Sequence, residues 1–122
     1  MIPSVSNPAS KRRIAVLGCT GSVGTQALSI LAEHPDRFEV CLLAANTSAD
    51  GLAASAASHR PTAACLTGRE EPPELPAGTK WFHGADGLLA ALAAAEPDTV
   101  LNGITGSAGL SASEWTLRHG LT

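Results

Sequence analysis

The residues of this chain best equipped for chemistry are Gly18-Cys19-Thr20-Gly21-Ser22-Val23-Gly24. Glycines at every third position, with the hydroxyls of Thr20 and Ser22 between them, expose backbone N–H groups and add donors without adding charge. A phosphate or pyrophosphate is held favourably where such N–H groups meet the positive end of a helix dipole. In such a loop Gly18 makes the tight turn, Gly21 removes a side chain where the anion approaches, and Gly24 lets the following helix pack closely. The spacing G-x-x-G-x-x-G is one residue longer between its first two glycines than the common dinucleotide fingerprint. The motif therefore needs its context, a strand before it and a helix after it.

That context is legible on both sides. Ile14, Ala15, Val16 and Leu17 are continuously apolar and run into the glycine turn, which predicts a buried strand over 13–18. A helix is expected over 22–34, with Val23, Ala27, Ile30 and Leu31 on one face and Pro35 as its stop. Phe38–Ala45 reads as a second strand, and a strand-helix-strand unit of this length calls for a right-handed crossover between parallel neighbours. Beyond it come a helix over 49–59, a strand over 63–66, a proline-rich surface loop over 67–79 and a strand over 80–83. A helix over 85–95 with Leu88, Leu89 and Leu92 on one face follows, then a strand over 99–104, a glycine-rich turn from Gly103 to Gly109, and a helix over 111–119 capped by Gly120.

This alternation predicts an α/β fold, a Rossmann-like parallel sheet with helices on both faces. Residues 1–12 read as a flexible polar leader and 13–122 as a single dinucleotide-binding domain. Leu121 and Thr122 read as the opening of a further strand, so the domain is expected to be partial, incomplete at its C-terminus.

The end of the second strand bears on which dinucleotide. NAD sites usually place a carboxylate there to accept from the ribose 2′-hydroxyl. This chain has Asn46, Thr47 and Ser48, a neutral turn rich in donors that tolerates a 2′-phosphate, and the expectation is NADPH. The plainer reading makes all three ordinary turn formers, with Ser48 capping the next helix. The turn Gly103–Gly109 is expected at the same edge of the sheet, where its small residues could admit a nicotinamide ring.

Bulk properties narrow the partners. Eight basic and eleven acidic residues give a net charge of −3, with no general attraction for nucleic acid or an anionic membrane. No run approaches the roughly 18 apolar residues of a membrane span, and the start lacks the apolar stretch of a signal peptide, so a cytoplasmic location is expected. Aromatic residues make up 3% of the chain, which leaves Ala, Val, Leu and Ile to pack the core. Cys19, Cys41 and Cys65 have no Cys-x-x-Cys spacing and read as reduced thiols. His34, His59, His83 and His119 have no metal-ligand spacing and read as solvent-facing. No catalytic constellation and no metal site is expected within these residues.

The stretch Arg13-Ile14-Ala15-Val16-Leu17-Gly18-Cys19-Thr20-Gly21-Ser22-Val23-Gly24-Thr25-Gln26 resembles the start of the 1-deoxy-D-xylulose 5-phosphate reductoisomerases. His34-Pro35-Asp36-Arg37-Phe38-Glu39-Val40 is similar to that family's link into its second strand, and Gly103–Leu110 resembles its glycine-rich turn. The resemblance implies an amino-terminal NADPH-binding domain, followed by a catalytic domain that binds a divalent metal (Mg or Mn) and a helical domain, in a homodimer. It implies an enzyme of isoprenoid precursor biosynthesis that isomerises and reduces the sugar phosphate 1-deoxy-D-xylulose 5-phosphate to 2-C-methyl-D-erythritol 4-phosphate. By position, the family's cofactor contacts fall on Thr20, Gly21, Ser22 and Val23, and on Asn46, Thr47 and Ser48. Cys19 and Val23 stand where serine and isoleucine are common. At Asn46–Ser48 the family often has glycine and a basic or amide residue. The Asn-Lys-Glu segment, metal ligands and substrate-phosphate residues of the family are expected beyond Thr122, leaving this stretch inactive alone.

Two other readings share the glycine loop. One is the NADP-binding domain of a semialdehyde-type dehydrogenase, which needs a nucleophilic cysteine downstream. The other is a non-enzymatic dinucleotide-sensing module.

Overall fold

A computed structural model describes residues 11–104 and 106–120. The expected leader lies outside the described residues up to Ser10, as do Thr105, Leu121 and Thr122. The elements, in chain order, are β1 (Arg12–Leu17), α1 (Ser22–Ala32), β2 (Phe38–Ala45), α2 (Ala49–His59), β3 (Ala63–Leu66), β4 (Lys80–His83), α3 (Gly84–Ala95), β5 (Thr99–Asn102) and α4 (Gly106–Arg118). The strands form one sheet in the order β4-β3-β2-β1-β5, and every pair is parallel. This is the Rossmann-like α/β sheet expected, with β1 flanked by the second strand on one side and the fifth on the other.

Strand residues alternate between two cores because side chains along a strand point to opposite faces. Ile14, Val16, Val40, Leu43, Ala64 and Leu66 pack with Leu28 of α1 and with Leu52 and Ala56 of α2. Ala15, Leu17, Leu42, Ala44, Ala63 and Cys65 pack with Leu88, Ala91, Leu92 and Ala95 of α3 and Ala112 of α4. Two apolar layers explain why β1, β2 and β3 read as continuous apolar runs. The alternation slips once. Ile14 pairs with Val40 but Ala15 with Leu42, so Cys41 is an extra residue in β2, and it shares a core with Leu42.

The structure corrects the inward face of α1. Gly24 and Leu28 are its buried residues, while Val23 is 70% and Ile30 59% exposed. The apolar period is present, but the close approach at Gly24 turns the helix so that a glycine, which carries no weight in a hydrophobicity pattern, is the inward residue. The last helix starts earlier than expected, at Gly106 instead of Ser111, so much of the expected glycine-rich turn is its first turn. Small residues mask a helical period that the fold imposes by packing Ala112 and Thr116 inward.

Two helices end alike. Arg60 after α2 and Glu96 after α3 are left-handed, at φ 47° and 50°, and each precedes a buried proline, Pro61 or Pro97. The same edge, at the amino ends of the strands, is clasped by Arg13, whose guanidinium donates to the Ala95 carbonyl at 2.7 Å and to Thr62 Oγ1 at 3.3 Å, and pairs with Glu39 at 3.1 Å. The Arg13 backbone N–H donates to Asp98 at 2.8 Å. These contacts bind β1 to the end of α3, leaving the carboxyl edge of the sheet to other uses.

Candidate functional site

The glycine loop leaves β1 at the carboxyl edge and is held there by its neighbours. The N–H groups of Gly18 and Cys19 both donate to the Ala44 carbonyl, at 2.8 and 2.9 Å, and Gly103 N–H donates to Leu17 O at 2.8 Å. Gly18 is left-handed at φ +84°, and a Cβ there would come within 2.9 Å of the Gly103 carbonyl carbon. A Cβ on Gly24 would come within 2.8 Å of Cys19 Cα. Both glycines are therefore demanded by the protein's own backbone.

Gly21 differs. It is the N-cap of α1, extended at φ −80° and ψ 174°, and a Cβ there would make only an ordinary 3.5 Å contact with Gly18 O. No described neighbour requires a glycine there, whereas a group approaching from outside would. Among the described residues no side chain caps α1, and its first turn holds no acid. The first-turn N–H groups of a helix lack intrahelical partners, so an uncapped end offers them to an anion. Thr20, Ser22 and Val23 are exposed around this opening, while Cys19 is fully buried beneath it. Burial raises the Cys19 thiol to about 11, so the loop's cysteine is a packing residue and stays protonated at neutral pH.

Asn46, Thr47 and Ser48 form the β2–α2 turn at the same edge, and all three are exposed. Ser48 is the N-cap of α2, but its hydroxyl makes no capping hydrogen bond. The turn is fastened to the end of β3: Gly68 N–H donates to Asn46 O at 2.9 Å, and the Thr67 hydroxyl donates to Asn46 Oδ1 at 3.3 Å. A Cβ on Gly68 would reach within 3.0 Å of Thr47 Cγ2. In the sequence Thr67 and Gly68 dissolve into a surface loop, and only strand order makes them neighbours of Asn46. A cleft of about 800 Å³ begins at Thr67, Gly68 and Arg69 and runs to His83.

Asn102 is a second residue that the sequence does not single out. Its Nδ2 donates to Gly109 O at 2.8 Å and to Ser113 Oγ at 2.9 Å, and its Oδ1 accepts from Ile104 N–H at 3.1 Å. It thereby fixes the turn from β5 into α4 beside Gly18. In the sequence it is one polar residue in an apolar run.

A separate groove of about 650 Å³ between α1 and α2 includes Lys11, Phe38, His59 and Arg60, and none of the expected site residues line it. His59 and His34 are half-buried, contrary to the solvent-facing expectation, and burial lowers the His59 pKa. Among the described residues, no group of three or more His, Cys, Asp or Glu is placed to hold a metal ion, and no helix is long and apolar enough to cross a membrane.

Known proteins match this arrangement. The chain is 40% identical over 111 residues to a 1-deoxy-D-xylulose 5-phosphate reductoisomerase of Xanthomonas campestris pv. campestris, covering 85% of the chain and 28% of that relative. It is 36% identical over 119 residues to one from Bacteroides fragilis, covering 93% of the chain and 31% of the relative. The Zymomonas mobilis enzyme solved in complex with NADPH superposes with a TM-score of 0.79 at 27% identity, over 92% of this chain and 31% of that one. A reductoisomerase solved with NADPH, fosmidomycin and magnesium gives 0.76 at 27% identity, over 90% of this chain and 28% of that one. The chain thus spans about three tenths of the length of the relatives it matches. The matches do not favour the semialdehyde-dehydrogenase and sensing-module readings. A family model described as 1-deoxy-D-xylulose 5-phosphate reductoisomerase matches residues 14–122, and the chain belongs to that family.

Proposed function

We propose that this chain is the NADPH-binding portion of an enzyme that isomerises and reduces 1-deoxy-D-xylulose 5-phosphate to 2-C-methyl-D-erythritol 4-phosphate. The observation that carries the reading is the uncapped start of α1 at Gly21, open at the carboxyl edge where β1 lies between β2 and β5. In open α/β sheets that crevice is where dinucleotides lie. Gly18, Thr20, Gly21, Ser22, Val23 and Gly24 receive the pyrophosphate. Asn46, Thr47 and Ser48 receive the adenosine ribose and its 2′-phosphate.

The bound cofactor supplies hydride for reduction of an aldehyde. The chain's own part is to hold it: Gly18 and Gly24 set the loop, the α1 amides meet the phosphates, and Asn102 shapes the turn at the far side of β1. The whole enzyme is a cytoplasmic homodimer. Its divalent metal, magnesium or manganese, and its sugar-phosphate site belong to parts of the protein outside these residues, so this chain alone binds cofactor without turnover.

Titration of the chain with NADPH, followed by cofactor fluorescence, tests the binding claim; the expected result is saturable binding abolished by Gly21→Asp, which places a carboxylate on the phosphates. Absence of saturable NADPH binding defeats the reading. For the whole enzyme, NADPH oxidation must require both the sugar phosphate and a divalent metal.

A further inference from the structure

The β2–α2 turn holds no cation, although a 2′-phosphate carries up to two negative charges and NADP sites commonly answer it with an arginine. The sheet brings beside that turn a loop from the end of β3 that carries one, Arg69. Arg69 lies between two anchored residues: Gly68, whose N–H is bonded to Asn46 O at 2.9 Å, and Glu70, whose carbonyl accepts from Trp81 Nε1 at 3.1 Å. The loop is thus fastened on one side to the β2–α2 turn and on the other to β4.

We propose that Arg69 is the 2′-phosphate-recognising residue of this chain and determines its preference for NADPH over NADH. The inference rests on the dinucleotide reading above and adds a residue from the β3 end to it. Arg69 lines the same cleft as Thr67 and Gly68, which contact Asn46. Its side chain is 46% exposed and its partner Glu71, at 3.6 Å, is 79% exposed. A pair so open to water is held weakly, so the guanidinium is free to exchange that carboxylate for a phosphate, which it can bind with two parallel N–H donors. Glu71 then acts as a competitor for Arg69, and Glu70 is kept by Trp81 as a carbonyl acceptor. The neutral donors of Asn46–Ser48 orient the ribose, while the charge is supplied from β3.

The test compares NADPH and NADH affinities of the full chain and of Arg69→Gln, Arg69→Lys and Glu71→Gln, at fixed low salt, with 2′,5′-ADP and 5′-AMP as competitors. Arg69→Gln is expected to weaken NADPH and 2′,5′-ADP by about tenfold while leaving NADH and 5′-AMP unchanged, and Arg69→Lys to restore part of the loss. Glu71→Gln is expected to tighten NADPH by about twofold. Unchanged NADPH affinity in Arg69→Gln, or an equal loss for both dinucleotides, overturns the inference while the dinucleotide reading stands. Failure of the unsubstituted chain to bind either dinucleotide overturns both.

Discussion

Gly68 N–H donates to the carbonyl of Asn46 at 2.9 Å, tying residues far apart in sequence into one rim of the carboxyl edge. That bond places the end of β3 beside the β2–α2 turn of the candidate site. The loop after it is held in turn by Trp81, a half-buried residue of β4 packed on the α1–α2 core.

Trp81→Phe keeps the ring against that core but removes the donor to Glu70. The melting temperature should shift little, while the NADPH-over-NADH preference falls by about two- to tenfold, the worth of one modest hydrogen bond. Paired titrations with the two cofactors check it. A large loss of stability with unaltered preference would make Trp81 a packing residue only.

Gly21→Ala and Gly24→Ala separate binding from folding. In the first, the added methyl would meet only the 3.5 Å contact, so the chain should melt normally and lose NADPH affinity. In the second, the methyl would press on Cys19 Cα, and forcing that loop apart should cost roughly 1–3 kcal/mol of stability. Urea denaturation of both variants beside NADPH titration gives the comparison.

Arg13→Met leaves the Ala95 carbonyl, Glu39 and Thr62 without their shared donor. The side chain is 31% exposed, which lets water replace part of the loss, so the expected cost is roughly 1–2 kcal/mol. NADPH affinity should be unchanged because the clasp lies at the opposite edge of the sheet. A shift in the urea midpoint with constant Kd is the outcome to look for.

Burial raises the thiols of Cys19 and Cys41 to about 11 and that of Cys65 to about 12, from an ordinary value of 9.0. All three are free and buried, so alkylation at pH 8 should be slow until the chain is unfolded. The folded chain holds these protons more tightly than the unfolded one. Their contribution to stability is therefore fully present below pH 9 and lost progressively as pH rises toward 11 and 12. Denaturation midpoints measured between pH 8 and about 11 should fall accordingly.

Local pattern is enough for much of this protein. Continuous apolar runs mark β1, β2 and β3 because a parallel sheet is buried on both faces, and prolines and glycines mark where helices end. The glycine loop is legible because its backbone geometry is a local demand. Gly18 needs φ +84°, and Gly24 must clear Cys19, whatever else the chain does.

Other features depend on what lies across the sheet. Val23 and Ile30 have the period of a buried face yet point to solvent, because the contact at Gly24 fixes the rotation of α1. The bulge at Cys41 follows from pairing between β1 and β2, which composition does not express. Asn102 and Thr67 become informative only through partners brought to them by other elements. Within the sequence, most of the elements and the glycine loop are already marked, since strand burial and glycine conformation are local properties. The tertiary structure alone decided that β3 stands beside β2, and so that the Arg69 loop borders the neutral turn at Asn46, because strand order is a long-range choice.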